Sequence, residues 1–136
     1  MAQVIADRRD IDFVLYEQIQ IESLFKTKKF NDLNRKMLDM VISEAKTLGI
    51  KEILPTYGEG DRQGVGFDKG QVTVPECFHR PYKLFVEGEW IAMAEDQQVG
   101  GQGLPQIIKQ AANEYLLGSN FAFIALANLC HGTAKI

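Results

Sequence analysis

The stretch from Phe121 to Cys130 constrains this chain more than any other feature: nine of its ten residues are apolar, and Asn120 stands before it as a capping residue. A helix written this way has no solvent face over its first turns, so it must be surrounded by other protein. It cannot be a membrane span, because even the longest apolar stretch falls far short of the roughly 20 residues needed to cross a bilayer. Other helices must therefore cover it. A chain of 136 residues with 46% apolar and 24% charged side chains is the size and composition of one soluble domain with a substantial core.

The covering helices are legible from periodicity. Ile11, Val14, Leu15, Ile21 and Phe25 share one stripe at 100° per residue, which predicts a first helix from Asp10 whose C-terminal end suits Lys26, Lys28 and Lys29. Asn31 is the expected cap of a second, in which Leu33, Met37, Met40, Val41, Ala45 and Leu48 make the stripe. Gly49 should end or weaken it and Pro55 should stop it.

From Thr56 to Val74 glycines punctuate the chain, predicting a flexible loop that opens into a small hairpin. In it Val65-Gly66-Phe67 faces Val72-Thr73-Val74 across Asp68-Lys69-Gly70-Gln71. Pro75 suits the first turn of a third helix, with Phe78, Tyr82 and Phe85 on one face, Pro81 as a possible kink and Gly88 as its end. A loop with Trp90 and Gly100-Gly101-Gln102-Gly103 leads to Pro105 and a fourth helix carrying Ile107, Ile108, Ala111, Ala112, Tyr115 and Leu116. The apolar run is the fifth. The expected fold is all-α, an orthogonal bundle of about five helices with a small β-hairpin insertion.

Several functions are disfavoured by the residues themselves. A formal net charge of -3 with dispersed lysines and arginines lacks the basic face that nucleic acid requires. The N-terminus has no apolar run behind a basic start, which predicts a cytoplasmic protein. Cys77-Phe78-His79 and Cys130-His131 hold the cysteine and histidine ligands, but in neither metal-clip spacing nor facing nucleophile geometry, so no metal site and no catalytic residue is expected.

Glycines 58, 60, 64 and 66 lie beside Glu59 and Asp61, which would repel a phosphate. Gly100 to Gly103 does deliver the chain to a helix N-terminus, where an anion could meet free amides, although a tight turn is the commoner use. Glu44 falls within the apolar stripe of the second helix, either buried with a partner or part of a ligand wall. Glu95, Asp96 and Glu114 are acid or base candidates by residue type alone.

Taken together, Trp90, then Gly100-Gly101-Gln102-Gly103-Leu104-Pro105, then a helix bearing Glu114, then an apolar helix opening at Gly118-Ser119-Asn120, resemble the N-terminal helical domain of acyl-CoA dehydrogenases. Ile5-Ala6-Asp7-Arg8-Arg9-Asp10 and Pro75-Glu76-Cys77-Phe78-His79-Arg80 look like the subgroup containing 3-methylmercaptopropionyl-CoA dehydrogenase.

The resemblance implies an FAD-dependent parent enzyme that oxidises an acyl-CoA to the 2,3-enoyl-CoA and passes electrons to an acceptor, as a homo-oligomer. It places the flavin and the catalytic base in a middle β-domain and a C-terminal helical domain outside residues 1–136. This chain would supply packing and one wall of the acyl cavity, with Phe123, Ile124 and Ala127 against the acyl group, no FAD bound and no activity alone. One departure stands out: Gln97-Gln98-Val99 replaces the Glu-Glu-aromatic sequence that often precedes the glycines.

The helical pattern still running at Ala134-Lys135-Ile136 suggests that the chain is cut from a longer polypeptide. Two other readings use the same residues: a stand-alone helical dimerisation or binding module, and a small carrier of acyl ligands without flavin.

Overall fold

The computed structural model describes residues 5–133, with side chains through residue 129. Among them are six α-helices and one two-stranded hairpin: α1 (Arg8–Asp12), α2 (Arg35–Leu48), α3 (Tyr57–Gln63), β1 (Gly66–Asp68), β2 (Gln71–Thr73), α4 (His79–Glu87), α5 (Gln106–Ser119) and α6 (Phe121–Thr133). The all-α reading with a hairpin insertion holds, with α3 as the additional helix.

Five local expectations change. The first helix is broken: α1 widens into a π-helical turn over Phe13–Gln18, and Gln20 takes a left-handed conformation (φ 54°) before a 3-10 segment, Ile21–Lys26. This break still lets Ile11, Leu15 and Ile21 reach the core together. The cap of α2 is Asn34, whose side chain accepts from the Met37 N–H at 3.1 Å. Asn31 lies in the turn before it.

The buried face of α2 is Leu38, Ile42 and Ala45, while Met37 and Met40 are exposed. The cause lies at Gly49, the C-cap of α2, where the α-helix ends as expected and a π-helical turn takes over. There α2 runs so close to α5 that an added Cβ would stand 2.6 Å from Ser119 Oγ and 3.0 Å from the Tyr115 carbonyl oxygen. This contact turns the 38, 42, 45, 49 face inward.

Pro55 does not stop the chain. A π-helical turn, Gly49–Ile53, lets the Leu54 N–H reach back to the Gly49 carbonyl, and Pro55 then sits in a 3-10 turn, Leu54–Thr56, leading directly into α3. The expected flexible loop is therefore helical over Tyr57–Gln63. Gly60 is required within it, because a Cβ there would stand 2.5 Å from the Phe78 ring.

The hairpin has the expected register, Gly66 opposite Thr73, Phe67 opposite Val72 and Asp68 opposite Gln71. Lys69 (φ 47°) and Gly70 (φ 83°) form its two-residue turn, both in the conformation that matches strand twist.

Two clusters of buried side chains meet at α5. On one side, Ile11, Leu15 and Ile21 pack with Leu38, Ile42, Ile108 and Tyr115. On the other, Ala45, Ile53, Phe78, Phe85, Met93, Leu104, Ala112, Leu116, Phe123 and Ile124 form the larger core. A polar clasp holds the N-terminal segment to α2: Arg8 pairs with Asp39 at 2.6 Å and Asp12 at 2.7 Å, and the Tyr16 hydroxyl donates to Asp39 at 2.8 Å.

Candidate functional site

The helix α6 begins where Asn120 caps it, its Oδ1 accepting from the Phe123 N–H at 3.2 Å. The first turns then divide sharply. Phe123 is 2% exposed and Ile124 1%, whereas Phe121 is 69%, Leu126 47% and Leu129 73% exposed. One side of an apolar helix is thus core and the other is surface, which large apolar side chains occupy in a row only where something is meant to cover them.

The inner side is aromatic. Phe123 makes edge-to-face contacts with Phe78 (centroids 5.4 Å apart, 79°) and Phe85 (6.1 Å, 87°). Such geometry suits the ring quadrupoles and fixes the Phe123 side chain from two directions.

Two clefts open where α6 leaves its neighbours, and both are walled by Phe78 and Leu126. One, of about 250 Å³, lies against α4 and is completed by Val74, His79, Tyr82 and Phe123. The second, of about 360 Å³, lies against α3 and the approach to the hairpin, with Tyr57, Gly60, Asp61, Gly64, Val65, Pro75, Asn120, Phe121 and Ala122.

Of the three residues expected to touch an acyl group, Phe123 reaches a cleft wall. Ile124 is buried in the core, and Ala127 is half-buried against it. Leu126, Tyr82 and Val74 were not singled out from sequence. A period-3.6 reading assigns no face to a helix that is apolar all round, so nothing in the pattern marked Leu126 as the outward position.

A larger cleft of about 550 Å³ lies elsewhere, between α2, α4 and the segment around Trp90, with Met40, Val41, Leu48, Leu84, Trp90 and Met93 among its walls. Glu44 is exposed on its rim, so the buried, salt-bridged alternative for that residue is wrong, for the same Gly49 contact that turns the α2 face. Glu52 on the same rim receives the Arg80 guanidinium at 2.8 Å, which holds its carboxyl below the usual value. The α4–α6 cleft is the better match to an alkyl chain, because no Asp, Glu, Lys or Arg lines it, whereas Glu44, Lys51 and Glu52 line the larger one.

The glycine loop is a tight turn. Its amides are used internally: Gly101 N–H donates to Asp96, Gln102 to Ala92, Gly103 to Glu95 and Leu104 to Met93, at 2.8–3.2 Å. Gly101 must lack a side chain, since a Cβ would collide with the Glu95 carbonyl. Gln97-Gln98-Val99 forms a capped 3-10 turn with Val99 77% exposed. Lys109, buried at the start of α5, ties this segment down by donating to the Ile91 carbonyl at 3.2 Å.

Among the described residues, the remaining reactive residue types are not assembled into a constellation. The Cys77 thiol donates to the Thr56 carbonyl at 3.9 Å, and burial, followed by the charge of Glu59, pushes its pKa up. His79 Nδ1 lies 3.3 Å from the Glu76 carboxylate. The side chains of Cys130 and His131 fall outside the described residues. Glu114 is exposed on α5. No helix among the described residues is long and apolar enough to cross a membrane.

Comparison with characterised proteins places this arrangement. The chain is 26% identical over 114 residues to the broad-specificity linear acyl-CoA dehydrogenase FadE5 of Mycobacterium tuberculosis, a match to 82% of the chain and 19% of that protein. It is 24% identical over 115 residues to 3-methylmercaptopropionyl-CoA dehydrogenase of Ruegeria pomeroyi, covering 85% of the chain and 20% of the relative. The chain thus spans about a fifth of the length of these proteins. No family model matches it. The resemblance carried by Trp90, the glycine loop and the apolar helix is borne out at the level of the acyl-CoA dehydrogenase family.

Proposed function

We propose that this chain is the N-terminal helical domain of an FAD-dependent acyl-CoA dehydrogenase, a parent enzyme that converts an acyl-CoA to the 2,3-enoyl-CoA and passes the electrons to an acceptor. The observation that carries this reading is the division of α6. A helix apolar on every side, half in the core and half bare, belongs to a chain that meets further protein or ligand along that bare side. Similarity to two acyl-CoA dehydrogenases, over most of this chain but a fifth of theirs, supports this reading of the parent.

The role of the domain is to hold a wall. Phe123, with Leu126 and Tyr82 beside it, offers an alkyl chain an apolar cleft, while Ile124 and Ala127 back that wall from the core. The described residues do not fit the flavin itself. The glycine loop has its amides turned inward on its own carbonyls, leaving no cradle for a pyrophosphate. The redox step and the proton abstraction then belong to a middle β-domain and a C-terminal helical domain, and the chain alone is inactive. The parent acts in the cytoplasm as a homo-oligomer.

Expression of the complete reading frame decides the matter. The expected product is yellow, and acyl-CoA bleaches its flavin absorbance under anaerobic conditions. A colourless complete protein that neither binds flavin nor oxidises any acyl-CoA would overturn the reading. It would favour a dimerisation module instead, detectable as unfolding that depends on protein concentration.

A further inference from the structure

The helix α6 poses a problem of orientation. From Phe121 through Leu129 it carries no charged side chain, and both its inner and outer faces hold large apolar residues. Burial alone is nearly indifferent to a roll about the helix axis, since Phe121 or Leu126 could replace Phe123 or Ile124 at similar hydrophobic gain. Yet one face is in and the other out.

Beside the edge-to-face packing of Phe123, a polar constraint acts at its start. Asn120 is 3% exposed, and both arms of its amide are engaged: Oδ1 accepts from the Phe123 N–H at 3.2 Å, and Nδ2 donates to Thr56 Oγ1 at 3.1 Å. Thr56, 6% exposed, in turn donates to the Ile53 carbonyl at 2.7 Å. This chain of bonds runs from the first turn of α6 to the end of the π-helical turn, across 64 residues of sequence. Rolling α6 would tear the amide from Thr56 and leave the buried Asn120 Nδ2 without its acceptor, a penalty that apolar burial does not impose.

We propose that Asn120 and Thr56 form a positioning pair that selects which face of α6 is presented outward, in the way a single buried polar residue sets register in an otherwise apolar interface. That the outward face then serves as the acyl wall rests on the function proposed above. The orientation itself stands on this chain alone. Neither residue touches substrate in this scheme, and both act through the placement of Phe123 and Leu126.

The test uses two introduced thiols, Ile124→Cys and Leu126→Cys, which sit about 200° apart around the helix. Their alkylation is read by peptide mapping, so that Cys77 and Cys130 do not interfere. With the pair intact, the site at 126 labels and the site at 124 is protected. Thr56→Val, which keeps the volume and removes the hydroxyl, should raise labelling at 124 relative to 126 by about tenfold, the equivalent of one buried hydrogen bond.

Thr56→Ser should restore the original ratio. Asn120→Ser, which retains a capping oxygen but is too short to reach Thr56, should behave like Thr56→Val. An unchanged ratio in both disrupting variants overturns the proposal. So does an equal rise at both sites, because that marks general loosening and not a choice of face.

In the complete protein, Thr56→Val should alter KM across acyl-CoA chain lengths with kcat little changed, and Thr56→Ser should not. A complete protein without flavin, or with unmoved KM values, sinks the acyl-wall reading and leaves the labelling result to judge the pair.

Discussion

The helices α5 and α6 are consecutive, nearly equal in length and opposite in how their sequence is used. In α5, Ile108, Ala111, Ala112, Tyr115 and Leu116 are buried while Gln106, Gln110 and Glu114 face water, so the helix is satisfied within its own chain. In α6 the core takes Phe123 and Ile124, and Phe121, Leu126 and Leu129 remain bare. An amphipathic helix needs only the chain it belongs to. A helix without a polar face carries a second demand, and the same substitution should weigh differently on its two sides.

The largest effect is expected on the inner side. Phe123→Ala removes a ring held by two edge-to-face contacts and leaves a cavity between Phe78 and Phe85, at a cost of about 3–5 kcal/mol. Urea unfolding of the variant would read it, and a loss below about 1 kcal/mol would mean that α6 is not part of the cooperative core.

Gly49→Ala tests the α5 side of the comparison. The added methyl would meet the Ser119 hydroxyl and, at 3.0 Å, the Tyr115 carbonyl, which is backbone and cannot swing away. Overpacking of that kind costs about 1–3 kcal/mol, whereas alanine at an ordinary helical glycine stabilises. A stabilised variant would show that the two helices can separate freely and that α5 is less enclosed than its burial implies.

These positions also show what the sequence could and could not disclose. The hairpin register followed from two short runs facing each other across Asp68-Lys69-Gly70-Gln71, a local signal. The limits of α5 and the cap at Asn120 were equally local. The rotation of α2 was not, because it is set by the approach of Gly49 to a helix whose Tyr115 and Ser119 lie more than sixty residues away, and no stripe in residues 33–48 contains that fact. Pro55 failed as a stop signal for a related reason: the π-helical turn before it absorbs its missing N–H. At the candidate site, Phe123 was legible, with Ile124 and Ala127, through the family resemblance, by the position of the helix after the glycine loop. Its neighbours Leu126 and Tyr82 become wall residues only through the tertiary placement of α6 against α4.

A smaller effect is expected where the N-terminal segment meets α2, on the flank of α5 away from α6. Burial, then the hydrogen bond to Asp39, raises the Tyr16 phenol above its ordinary value of 10.0, and burial raises Tyr115 in the same direction. A phenol whose folded value is raised keeps its proton more firmly when folded. Its contribution is therefore complete below about pH 10 and lost as pH climbs through the folded value. Tyr16→Phe should cost about 0.5–1.5 kcal/mol at neutral pH and flatten the alkaline fall in stability, part of which Tyr115 would retain. An unchanged alkaline limb in the variant would assign the fall to other groups.

The smallest effect in this chain is the sharpest test of the comparison. Leu129 is 73% exposed, so Leu129→Ala removes little that is buried, and alanine is at least as good a helix former. Stability of the isolated chain should move by no more than about 0.5 kcal/mol, and any tendency to self-associate, read by sedimentation at rising concentration, should weaken. In the complete protein the same change should cost about 2–5 kcal/mol if the outer face of α6 is covered there, because the methyl groups then leave a cavity behind. The two measurements must disagree for the division of α6 to mean what it is taken to mean. Equal and negligible costs in both would leave Leu129 facing water throughout, and the bare side of α6 would be surface with no partner to explain it.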